Sequence, residues 1–97
     1  MTKFGELISV DKPVLIDFYT HLNESQNVLK TLRDVASSLG NGVKVIKINI
    51  EKNQLLADAL RIKEKPTFMI YKNGEMKWRK SGNQSTSDLI NSVKEFV

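Results

Sequence analysis

A chain of 97 residues, 40% hydrophobic and 27% charged, is enough for one globular core and too little for two. It has no cysteine and one histidine, His21. Disulfide staples, thiolate metal sites and thiol catalysis by these residues are therefore excluded, and a zinc site would have to rest on carboxylates. The net charge of +4 comes from cations spread along the whole chain, with no aromatic-interleaved basic stripe, so no nucleic-acid partner is expected.

Residues 1–6 lack the apolar run of a secretory signal, and no stretch approaches the roughly 18 apolar residues of a membrane span. The expectation is a cytoplasmic protein with no membrane partner. Over residues 2–10, Phe4, Leu7, Ile8 and Val10 share one helical face, with Thr2 as a possible N-cap and Gly5 weakening the helix. Asp11-Lys12-Pro13 is a break, and Pro13 forces an extended entry into residues 14–19. Those six are apolar except for Asp17, the signature of a central strand covered on both faces.

From Asn23 the period changes. Val28, Leu29, Leu32, Val35, Ala36 and Leu39 fall on one helical face, and Lys30, Arg33, Asp34 and Ser37 on the other. Gly40-Asn41-Gly42 ends this helix. Residues 43–50 alternate as a second strand, and Asn53 caps a short helix with Leu55, Leu56, Ala59 and Leu60 inward. The loop to Pro66 delivers a third strand over 67–71. Asn73-Gly74 marks a tight hairpin into a fourth strand over 76–80. Ser85-Thr86-Ser87-Asp88 resembles a capping box, and the last helix buries Leu89, Ile90, Val93 and Phe96.

The order α-β-α-β-α-β-β-α predicts an α/β fold: a four-stranded mixed sheet with helices on both faces. Two right-handed crossovers would make the first strands parallel, with the hairpin adding an antiparallel edge. No repeat, low-complexity tract or linker divides residues 1–97, which read as a single domain.

Four phrases in this order resemble the thioredoxin family. Pro13-Val-Leu-Ile-Asp-Phe-Tyr19 is similar to the family's central strand, and Val45-Ile-Lys-Ile-Asn-Ile-Glu51 to its neighbour. Glu64-Lys-Pro-Thr-Phe-Met-Ile-Tyr-Lys-Asn-Gly-Glu75 is similar to the Pro-Thr strand and hairpin. Gly82 and the closing amphipathic helix complete the match. The resemblance implies a thioredoxin-like fold and, in the family, thiol–disulfide oxidoreductase activity.

At the place of the family's Cys-Gly-Pro-Cys motif this chain has Asn23, Glu24, Ser25 and Gln26, with Leu22 where a tryptophan is usual. Thr31 stands where the family commonly has a helix-kinking proline, so a straighter helix is expected. Thiol–disulfide exchange needs a thiolate to attack and a second sulfur to resolve, and none of these residues supplies either. Asn23 is instead a strong N-cap with Gln26 three residues on, and Glu24 places negative charge where the helix dipole favours it.

What the resemblance implies beyond the motif is a peptide-binding groove. Its walls would be Thr20, His21, Leu22, Asn23, Lys65, Pro66, Ser81 and Gly82. Pro66 would be cis, and Lys65 would offer backbone groups to an extended peptide. The alternative is that a cis proline is simply how this fold turns into its strand. Asp17 and Lys47 match residues that pair in a buried position beneath the family's active site. Without cysteines they read as a structural pair, and burial should raise the Asp17 pKa. Trp78, beside Arg79 and Lys80, either packs under the last helix or forms an aromatic and basic contact patch.

The leading expectation is a redox-inactive thioredoxin-like module that binds a peptide or protein, with no cofactor and no metal. An accessory role beside a cysteine-bearing redox partner and a bare structural scaffold remain open, as do the partner's identity and the oligomeric state.

Overall fold

A computed structural model describes residues 2–20, 26–63 and 66–97. The elements are α1 (Thr2–Ile8), β1 (Val14–Tyr19), α2 (Gln26–Leu39), β2 (Lys44–Asn49), α3 (Gln54–Ala59), β3 (Thr67–Lys72), β4 (Glu75–Ser81) and α4 (Thr86–Lys94). The strands form one sheet in the order β2-β1-β3-β4.

The apolar run of β1 explains its place. Val14, Leu15, Ile16 and Phe18 are fully buried because helices cover both sides of the sheet. Alternation along the strands sorts the core into two layers. Val14, Ile16, Phe18, Met69 and Tyr71 pack with Ile8 of α1 and Ala57 of α3. Leu15, Phe68 and Ile70 pack on the other face with Leu32 and Val35 of α2 and Leu89 and Val93 of α4.

The connectivity differs from two crossovers between parallel strands. β1 and β2 are parallel, but β3 runs antiparallel to β1, and β4 antiparallel to β3. The link between β2 and β3, residues 50–66, carries the six-residue α3 and does not cross to the sheet's far end. It re-enters from the end it left.

Four local expectations are also corrected. α1 stops at Ile8 rather than Val10. The carbonyls of Ile8 and Val10 instead accept from the N–H groups of Gly74 and Asn73 at 2.9 Å, tying the β3–β4 turn to the end of α1. In α3 the inward stripe is Leu56, Ala57 and Leu60, while Leu55 is 87% exposed and Ala59 is also outside. Asn53 precedes that helix without a side-chain capping bond; its amide donates to the carbonyl of Asn49 at 2.7 Å. In α2, Ala36 lies outside the core as well.

Other sequence signals are realised as expected. Asn73 (φ 54°) and Gly74 (φ 82°) both adopt the left-handed conformation of the hairpin turn. Ser85 caps α4, its side chain accepting from the Asp88 N–H at 3.1 Å. Gly40, at φ 54°, follows the end of α2.

Candidate functional site

Three strand ends meet at one end of the sheet. Phe18 of β1 pairs with Thr67, the first residue of β3, and Thr67 pairs with Ser81, the last of β4. The Thr67 and Ser81 hydroxyls lie 3.3 Å apart, with Thr67 fully buried. One step further out, the Gly82 N–H donates to the Pro66 carbonyl at 2.8 Å. Gly82 has φ 87°, a conformation that side chains disfavour, which accounts for glycine at this turn. The Gln84 amide reaches back to the carbonyls of Ser81 at 3.4 Å and Gly82 at 3.3 Å.

Of the expected groove residues, the fold thus gathers Thr20, Pro66, Ser81 and Gly82. Thr20 and Pro66 are buried, Gly82 is half-buried and Ser81 is exposed. His21, Leu22, Asn23, Glu24, Ser25 and Lys65 lie outside the described residues, as does the expected cap at Asn23; Gln26 opens α2.

Asp17 sits one residue below this end of β1, in register with Lys47 on one side and Phe68 on the other. It is 1% exposed, and among the described residues neither carboxylate oxygen has a hydrogen-bond partner. Burial pushes its pKa from 3.8 up to about 6, while the Lys47 charge pulls the other way. The expected buried pair is corrected in one respect: Lys47 is exposed. β2 is an edge strand, so the long stem reaches solvent, and the ammonium rests 4.7 Å from the centre of the Tyr19 ring.

Trp78 is half-buried against the layer beneath α2 and α4, with Arg79 and Lys80 exposed beside it. The Arg79 guanidinium donates to the carbonyls of Leu60 at 2.6 Å and Arg61 at 2.9 Å, at the C-terminus of α3. No sequence signal announced this brace, because its partners are 18 and 19 residues away. No group of three His, Cys, Asp or Glu among the described residues could hold a metal ion. No described helix is long and apolar enough to cross a membrane.

Comparison with known proteins accounts for this arrangement. The family model for thioredoxin matches residues 1–95. Thioredoxin Y, chloroplastic, of Oryza sativa is 36% identical over 99% of the chain, which spans only 58% of that protein. A second chloroplastic relative, thioredoxin Y1 of Arabidopsis thaliana, is 33% identical, and the chain spans 54% of it. A thioredoxin-like protein of Synechocystis is 33% identical, with 97% of this chain and 91% of that one covered. A mutant thioredoxin from Halobacterium salinarum superposes with a TM-score of 0.81 at 26% identity, covering 99% of this chain and 84% of the other. With a sheet, helices and Pro66–Gly82 turn of this form, and with these relatives, the chain belongs to the thioredoxin family.

Proposed function

We propose that this chain is a redox-inactive thioredoxin-like module that binds an extended peptide or protein segment at the sheet end formed by Thr20, Pro66, Ser81 and Gly82. One observation carries the reading: the family fold surrounds a sequence without cysteine. Exchange by the family mechanism needs two sulfurs in the reacting chain, and positions 23 and 26 hold asparagine and glutamine. The retained Gly82-to-Pro66 bond supports a role for the scaffold around the missing chemistry, since it holds the β4 turn against the start of β3. His21, Leu22, Asn23 and Lys65 would complete the site.

The test has two parts. Insulin reduction with dithiothreitol as the sole other reductant should run at the rate of the reagent alone; acceleration by the protein would overturn the reading. Titration of isotope-labelled protein with a reduced, alkylated, unfolded protein should shift the amide resonances of Thr20, Gly82 and their neighbours. Shifts absent at millimolar ligand would leave the chain a scaffold without a groove function.

A further inference from the structure

We propose that the free edge of β4 is a second binding surface, which takes an extended acidic peptide as a fifth strand. This surface adjoins the groove at Ser81 and does not depend on peptide binding there.

The phase of the edge follows from one bond. The Gly82 N–H donates to the Pro66 carbonyl, continuing the pairing of Thr67 with Ser81 and Phe68 with Lys80. Hydrogen-bonding direction alternates along an antiparallel ladder. Gly82, Lys80 and Trp78 therefore turn their backbone polar groups toward β3, and Ser81 and Arg79 turn theirs outward. The Ser81 carbonyl is engaged by Gln84. The N–H and C=O of Arg79 face the open side of a strand that ends the sheet. From Trp78 to Ser81 the register is regular; the irregularity lies between Ile70 and Tyr71, on the hairpin side. The outward groups on offer along this regular stretch are the Arg79 N–H and C=O and the Ser81 N–H, and such edges accept added strands.

Charge selects the occupant. Arg79 and Lys80 are exposed on opposite faces of this stretch, and Arg61 is held beside Arg79 through its carbonyl. The one carboxylate on the strand, Glu75, is engaged by Lys77 at 2.8 Å and lies at the far end. An incoming strand would set its side chains opposite Arg79 on the α1/α3 face, and opposite Trp78 and Lys80 on the α2/α4 face. Carboxylates on both faces, with an apolar group beside Trp78, satisfy that pattern. A second copy of the chain does not, because pairing β4 with itself would oppose like charges directly.

The probe is a capped nine-residue peptide rich in glutamate and valine, with a glutamine-for-glutamate analogue as control. Titration of isotope-labelled protein should shift resonances of residues 78–81. Hydrogen exchange at the Arg79 amide should slow on binding while the Lys80 amide, already bonded to β3, is unchanged. Lys80→Glu should weaken binding about tenfold or more, and Lys80→Gln by less. Equal affinity of the glutamine analogue, shifts confined to Thr20 and Gly82, or no shift at about 1 mM peptide would each overturn the proposal. So would concentration-dependent slowing of Arg79 exchange without peptide, which would make the occupant a second copy.

Discussion

Asp17 and Lys47 stand opposite one another in the parallel ladder of β1 and β2, yet Asp17 is 1% exposed and Lys47 is an exposed residue. The asymmetry follows from strand position. β1 is central and buried from Val14 to Phe18, while β2 is an edge from which a lysine stem reaches water. Lys47 attracts the charge on Asp17, but desolvation outweighs that attraction.

Asp17 makes stability fall as pH rises. Its folded pKa of about 6 lies above the unfolded value of 3.8, so the folded state holds the proton longer. The Asp17 contribution to stability is greatest below pH 4, declines between pH 4 and 6, and is flat above that. The full displacement corresponds to about 3 kcal/mol, of which an asparagine amide without partners would return part. Asp17→Asn should stabilise the protein by about 1–2 kcal/mol at pH 8 and by close to nothing at pH 4. Urea denaturation at the two pH values checks this.

Arg61 occupies the left-handed position after α3, at φ 54°. The Ile62 N–H bonds to the Ala57 carbonyl and the Arg61 N–H to the Asp58 carbonyl, the two bonds of a Schellman ending. Glycine adopts this conformation without strain but is freer when unfolded. Arg61→Gly should raise stability by about 0.5–1 kcal/mol, read as a higher melting temperature.

Arg79 fastens the same helix end from another element. Removing its two charge-assisted bonds to the carbonyls of Leu60 and Arg61 leaves those acceptors to water. Arg79→Ala should cost about 1 kcal/mol and speed amide exchange in α3 selectively. Arg79→Lys should not restore the protection, because one ammonium lacks the planar fork.

Capping separates Ser85 from Asn53. The Ser85 side chain accepts from the Asp88 N–H, so Ser85→Ala should cost about 1 kcal/mol. Asn53 makes no such bond, and Asn53→Ala should cost less in the same melts.

Burial separates two leucines. Leu89→Ala should cost about 3 kcal/mol, since its side chain is fully enclosed between α4 and the sheet. Leu55→Ala should stay within about 0.5 kcal/mol. Chemical denaturation of both variants against the parent is the measurement.

Local chemistry made much of the fold legible. The apolar run from Val14 to Tyr19, broken only by Asp17, reads as a covered strand, Asn73-Gly74 as a tight reversal, and Ser85 three residues before Asp88 as a helix start. Periodicity was less reliable in α3, where four leucine and alanine positions fit two neighbouring stripes equally well. Packing against Phe18 and Met69 chose Leu56 and Ala57 over Leu55 and Ala59.

The sequence by itself determined the family and the missing chemistry. Motif order survives without coordinates, and a chain without cysteine has no thiol to exchange disulfides. Only the tertiary structure decided the direction of β3, the exposure of Lys47, the brace from Arg79 to α3 and the free groups on β4. Each of these depends on which strand is central and which is an edge. That is a property of long-range pairing, which neighbouring residues along the chain do not encode.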